Sequence, residues 1–154
     1  MYRFVIALAA AAFAGPALAQ GAGDVEAGEK GFKKCKSCHQ IVADDGTVVT
    51  KGGKTGPNLY GVIGRTAGSV EGFKYGKAIV AAGEAGLVWD EEQFVSYAQD
   101  PKKFLQTYLD DGSAKSKMSF KLKKGAEDVY AYLVSVGPEM AAEEPAAEDA
   151  AESN

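Results

Sequence analysis

The sequence predicts a small, all-α, loop-rich domain, and three observations carry that prediction. Several segments place apolar residues at i, i+3, i+4 spacing behind an Asp or Pro start signal. The stretch 41–72 is instead crowded with Gly, Thr, Asp and Pro and keeps no sustained period. No run alternates apolar and polar residues convincingly enough to be a strand.

The chain has 154 residues, and its ends are set apart by composition. Arg3, an apolar run over 4–13, the breaker Gly15-Pro16 and the small-residue site Ala17-Leu18-Ala19 make residues 1–19 a secretory signal peptide. The apolar run is shorter than the roughly 20 residues a membrane span needs, which disfavours a retained anchor. Residues 20–138 hold 15 acids and 16 bases, whereas 139–154 hold six acids and no base. The first stretch is long enough for one core and not for two. The second, rich in Ala, Glu and Pro, has little to bury and is expected to be a disordered acidic tail. A net-acidic chain is a poor partner for nucleic acid.

The elements follow in order. Asp24 is placed to cap a first helix, with Val25, Gly28, Phe32 and Cys35 at helical spacing. Its acid at the start (Glu26) and bases at the end (Lys33, Lys34, Lys36) suit the helix dipole. A short helix is expected near 75–82. Asp90, with Gln93 three residues on, starts another that carries Phe94, Tyr97 and Ala98 on one face. Asp100-Pro101 restarts a helix with proline in the first position, bearing Phe104, Leu105 and Tyr108 and ended by Asp111-Gly112. The last helix spans about 126–136, with Ala126, Val129, Tyr130, Leu133 and Val134 in one stripe and Gly137-Pro138 as its stop.

Both cysteines and the only histidine fall in one pentapeptide, Cys35-Lys36-Ser37-Cys38-His39. This spacing lets two thiols add across the two vinyl groups of one porphyrin, while the adjacent imidazole reaches the iron. It predicts one covalently bound haem c, held by Cys35 and Cys38, with His39 as a ligand. Three other uses compete. A Cys35–Cys38 disulfide leaves His39 unexplained. A thioredoxin-like redox pair wants a βαβ pattern that is not visible. A structural zinc site needs four ligands, and the chain has three Cys and His in all.

Further motifs follow the pentapeptide in a fixed order. Gly28-x-x-x-Phe32 precedes it. After it come Lys54-Thr55-Gly56-Pro57-Asn58-Leu59-Tyr60-Gly61, Gly64-Arg65-Thr66-Ala67-Gly68, Phe73-x-Tyr75 and Trp89. Tyr97 with Asp100-Pro101-Lys102-Lys103, Lys117-Met118-x-Phe120 and Glu127-Asp128-Val129-x-Ala131-Tyr132-Leu133 complete the set. With these, residues 23–136 resemble a class I c-type cytochrome, of the larger bacterial cytochrome c2 and c550 kind, akin to mitochondrial cytochrome c. The loop 44–50 and the stretch 103–118 are longer than in the mitochondrial pattern, and the acidic tail has no counterpart in it.

The resemblance implies roles for matching residues. His39 corresponds to the proximal ligand and Met118 to the distal one. Pro57 corresponds to the residue whose carbonyl accepts the histidine Nδ1 proton. Arg65, Tyr75 and Trp89 correspond to groups that hydrogen-bond a haem propionate. Gly28, Phe32 and Tyr132 correspond to the crossing of the first and last helices. Met140 competes with Met118 as a thioether ligand but lies beyond the Gly137-Pro138 stop.

The function so implied is electron transfer without catalysis, by a periplasmic, monomeric protein without stable membrane insertion. Its electrons would come from a quinol–cytochrome c oxidoreductase or a dehydrogenase. They would go to a terminal oxidase or a photosynthetic reaction centre. Lysines 33, 34, 36, 54, 102, 103, 115, 117, 121, 123 and 124 gather around both ligand segments and would dock these membrane complexes or periplasmic redox proteins. The competing functions are a haem peroxidase or gas sensor with a labile sixth ligand, and a thiol–disulfide oxidoreductase using Cys35 and Cys38.

Overall fold

Asp24 starts the first helix as its position predicts: its Oδ1 accepts the Ala27 N–H at 2.6 Å. The computed structural model describes residues 23–138; the expected signal peptide, the acidic tail and Met140 lie outside the described residues. Helix α1 (Val25–Phe32) stops one turn before Cys35. The pentapeptide continues instead as successive turns, with Cys35 N–H donating to the Phe32 carbonyl at 2.8 Å and His39 N–H to the Cys35 carbonyl at 2.9 Å. Those turns keep nearly helical pitch, so helical spacing in the sequence runs on past the true end.

The expectation of no strand is corrected by one small hairpin. Strands β1 (Ile41–Val42) and β2 (Val48–Thr50) pair antiparallel, with a register irregularity between Ile41 and Val42. Val48 and Val49 on β2 are exposed, so no alternation of burial marked it in the sequence. The rest is helical: α2 (Lys77–Glu84), α3 (Glu91–Gln99), α4 (Pro101–Tyr108) and α5 (Ala126–Val136). Both predicted aspartate caps form. Asp90 Oδ1 accepts from Gln93 N–H at 2.8 Å and Asp100 Oδ1 from Lys103 N–H at 3.2 Å. α4 ends at Tyr108, ahead of the expected Asp111-Gly112 stop, because Leu109 and Asp110 close it with Asp110 in the left-handed region.

The core lies where α1 and α5 cross. Phe32, Val129 and Leu133 are almost fully buried there, and the Phe32 and Tyr132 rings meet at 5.6 Å. Gly28 sits at the contact, where an added Cβ would collide with the Asp128 carbonyl oxygen and the Tyr132 Cβ. The crossing is tied at its edge by Asp24 N–H donating to Asp128 Oδ1 at 2.9 Å. Tyr132 also bonds Thr50 Oγ1 through its hydroxyl, at 2.9 Å, which anchors the hairpin to α5.

Two features outside the helices bring distant residues together. Residues 64–67 lie antiparallel to 87–89: Gly64 N–H donates to Trp89 O, Trp89 N–H to Arg65 O and Ala67 N–H to Leu87 O. Beyond α4, the chain is held by Gln106 Nε2 on the Gly112 carbonyl, an Asp111–Ser113 turn, and Leu122 N–H on the Ala98 carbonyl. This carries Met118 back over the helices.

Gly28→Ala is expected to destabilise the haem-loaded protein by about 1–3 kcal/mol, because two backbones must separate to admit one methyl. A lower midpoint in denaturant with an unchanged slope is the measurement that checks it.

Candidate haem-binding site

The fold leaves a cavity of about 370 Å³ at its centre, bounded by α2, α3, α4, α5 and the loops between them. Its wall is mostly apolar, with Leu59, Val62, Ile79, Ala98, Leu105 and Val129 among its residues. All eight residues singled out from the sequence line it: Cys35, Cys38, His39, Pro57, Arg65, Tyr75, Trp89 and Met118. A pocket of that size with so apolar a wall is shaped for a large apolar group.

The pentapeptide forms one edge of this cavity. Its backbone and the following Gln40 are laced to the loop 53–59 by three hydrogen bonds at alternate residues. Gly53 N–H donates to Lys36 O at 2.8 Å, Gly56 N–H to Cys38 O at 2.8 Å and Leu59 N–H to Gln40 O at 3.0 Å. His39, only 9% exposed, bonds through Nδ1 to the Pro57 carbonyl at 2.8 Å. A carbonyl can only accept, so Nδ1 carries the proton and Nε2 keeps its lone pair. Burial pushes the imidazole below its ordinary pKa, with the Pro57 carbonyl pulling the other way, which favours the neutral ring a metal needs. Gly56 lies flat against this ring; any Cβ there would fall among the ring atoms.

The two thiols differ. Cys35 is half-buried and burial pushes its thiol up to about 11, against the pull of Lys34. Cys38 is exposed and is drawn down by hydrogen bonds from Thr55 and Ser37. They do not pair with each other. Among the described residues no three His, Cys, Asp or Glu side chains are gathered to hold a metal ion by themselves, as a zinc site would require. Thus the donor set fits a haem: two thiols, one neutral imidazole and an apolar wall.

Another part of the lining is polar, at Arg65 and Tyr75. Arg65 Nη1 donates to Tyr60 O at 2.9 Å and Nη2 to Asn58 O at 3.1 Å. These bonds use part of a guanidinium that carries five N–H donors. Tyr75 stands beside it; burial raises its phenol and the Arg65 charge opposes that. Trp89 packs on Tyr97 at 5.0 Å and on Phe104 at 6.3 Å. No hydrogen bond to its indole N–H is found among the described residues. Met118 is half-buried, and its backbone N–H donates to Ser116 Oγ at 3.1 Å. Sequence reasoning quoted Thr55 and Asn58 within a motif without giving either a role, and it passed over Ser116; Thr55 and Asn58 act on Cys38 and Val42, which only the folded loops bring near.

Lys34, Lys74, Lys115 and Lys117 border the cavity, and Lys117 Nζ donates to the Lys74 carbonyl at 2.8 Å. No helix among the described residues is long and apolar enough to cross a membrane.

No protein-family model matches the chain. It is 60% identical over 131 residues to cytochrome c-551 of Roseobacter denitrificans, covering 85% of this chain and 92% of that one. It is 57% identical over 129 residues to cytochrome c2 of Rhodobacter capsulatus, covering 84% and 92%. Among solved structures, the Rhodobacter capsulatus cytochrome c2 superposes with a TM-score of 0.73 at 59% identity, covering 74% of this chain and 98% of that one. The cytochrome c2 of Paracoccus denitrificans gives a TM-score of 0.74 at 52% identity, covering 75% and 98%.

Gly56→Ala should push the imidazole off the Pro57 carbonyl. We expect a loss of about 1–3 kcal/mol in stability, read by denaturant titration of the haem-loaded protein, with the His39 ring N–H resonance shifted in the same sample.

Proposed function

This chain belongs to the class I c-type cytochromes of the cytochrome c2 and c-550 kind, which carry one covalent haem c, and on that premise we propose that it is a soluble periplasmic carrier of single electrons. The observation that carries the reading is the convergence of Cys35, Cys38, His39 and Met118 on one apolar cavity. Haem, when bound, supplies an iron that exchanges one electron.

The residues divide the remaining work. Cys35 and Cys38 would fix the porphyrin through thioethers. His39 would offer Nε2 to the iron, with Pro57 holding the ring and strengthening the donor. Met118 would offer a soft thioether as the second protein ligand, which favours the reduced state. Two protein ligands leave no open position, which is why a carrier is favoured over a peroxidase or gas sensor. Arg65, with donors to spare, and the free N–H of Trp89 stand ready for a propionate, helped by Tyr75; a carboxylate brought into this wall needs such partners. The apolar wall excludes water and disfavours the form with more net charge.

The lysines point to docking. All eleven named from the sequence are exposed, and Lys34, Lys115 and Lys117 stand at the cavity border. Acids such as Glu84 at the end of α2 are not among the residues of that border. A positive rim around the cavity would steer acidic faces of redox partners to it, and a brief encounter is enough for one electron. Such partners include a quinol–cytochrome c oxidoreductase or dehydrogenase as donor, and a terminal oxidase or reaction centre as acceptor.

The optical spectrum in both redox states tests the reading. Low-spin six-coordinate haem, unaltered by carbon monoxide, supports the carrier; a carbon monoxide shift in the unmodified protein supports the sensor or peroxidase instead. Met118→Ala should leave both thioethers intact and admit carbon monoxide. Its potential should fall by a substantial part of the roughly 0.8 V that axial ligands span, as voltammetry would show. Lys34→Glu or Lys103→Glu should slow association with a redox partner by roughly threefold or more at low salt. The deficit should fade as the Debye length shrinks below about 8 Å. Glu84→Lys should change the rate far less in the same stopped-flow series.

A further inference from the structure

Asn58 follows the carbonyl that holds His39, yet its side chain is turned to another strand. Its Oδ1 accepts the Val42 N–H at 3.0 Å and the Tyr60 N–H at 3.2 Å, and its Nδ2 donates to the Val42 carbonyl at 2.6 Å. The amide thus satisfies both backbone groups of Val42, as a neighbouring strand would. β1 is paired on one side by β2 and on the other by this single side chain. The Asn58 carbonyl is itself held by Arg65 Nη2 at 3.1 Å.

The peptide joining Pro57 to Asn58 is planar, so its carbonyl direction is set once both flanking residues are fixed. The Pro57 ring fixes φ on one side. On the other side Asn58 does so through Val42 and Arg65, beside the Leu59 N–H on the Gln40 carbonyl. Val42, on β1, in turn lies three residues after His39. The result is a closed circuit: His39 ring to Pro57 carbonyl, Asn58 amide to Val42 backbone, and back along the chain to His39.

We infer that Asn58 is a positioning residue for the proximal imidazole, acting through the Pro57 carbonyl although it does not line the haem cavity. Its amide holds the carbonyl at the angle that keeps Nδ1–H bonded and aims Nε2 inward. The inference rests on His39 being the ligand, and it adds that the ligand's donor strength is set in part from Val42. Arg65 shares in this clamp, a task separate from any propionate contact.

The test uses the untagged haem-loaded protein with ¹⁵N-labelled histidine; the chain has one histidine, so its ring N–H signal has a single source. Asn58→Leu keeps the size and removes the bonds. Exchange of the His39 Nδ1–H should quicken about tenfold or more. The midpoint potential should rise, because a loosened ring is a weaker donor to the oxidised state. Wild-type exchange and potential in a folded Asn58→Leu protein would overturn the inference. Should that variant not fold, the unmodified protein decides. The His39 Nδ1–H and the Val42 N–H should exchange through one shared opening, with the same dependence on dilute denaturant. Different dependences overturn it. Failure of the ligand reading shows separately, as a His39 ring in the unmodified protein with both nitrogens open to exchange, and overturns both.

Discussion

The bond from the His39 Nδ1–H to the Pro57 carbonyl is the constraint on which the rest of this molecule turns. It settles which nitrogen is protonated and which way the ring faces. It survives because the two segments that supply it cannot slide. Bonds at Lys36, Cys38 and Gln40 pin the pentapeptide and the residue after it to the loop 53–59. That registry demands small residues where the segments touch: an added Cβ at Gly52 or Gly53 would strike the His39 or Ser37 carbonyl oxygen. The Gly-rich composition of this region, which in the sequence looked like absence of structure, is the means by which two irregular backbones lie against each other.

Much of the helical frame was legible because its signals are local. Asp24, Asp90 and Asp100 announce helix starts through a side chain that reaches only three residues ahead, and each does so here. The 126–136 helix forms, but its packed face is Ala126, Val129, Ala131, Tyr132 and Leu133, whereas Tyr130 and Val134 of the predicted stripe are only half-buried. The hairpin was not legible. Its strands are two and three residues long, its register is irregular, and Val48 and Val49 face solvent, so neither length nor alternation marks it. The end of α1 was overrun because turns at Cys35 and His39 preserve helical spacing after the helix has stopped.

The site was legible in two different ways. Cys35, Cys38 and His39 declare themselves by spacing, since their chemistry is local to five residues. Arg65, Tyr75, Trp89 and Met118 are spread over more than fifty residues, and no periodicity says that they meet. Only the resemblance placed them together; the structure brings them to one wall by pairing residues 64–67 with 87–89 and by folding the chain beyond α4 back over Ala98. The role of Asn58, a residue of the quoted motif, escaped both routes, because it depends on a bond to Val42 that exists only once the loops have closed.

The crossing of α1 and α5 bears on how the chain reaches this state. The bond between Asp24 and Asp128 joins residues 104 apart in sequence. Closing a flexible loop of that length costs about 4 kcal/mol in chain entropy, beyond a fixed term. Contacts of such long range form slowly unless the intervening chain is already shortened. A rigid group tethered just after α1, and gripped by residues from Pro57 to Met118, would shorten it. The two terminal helices would then meet across a small gap, and covalent attachment would hasten folding as well as set the chemistry.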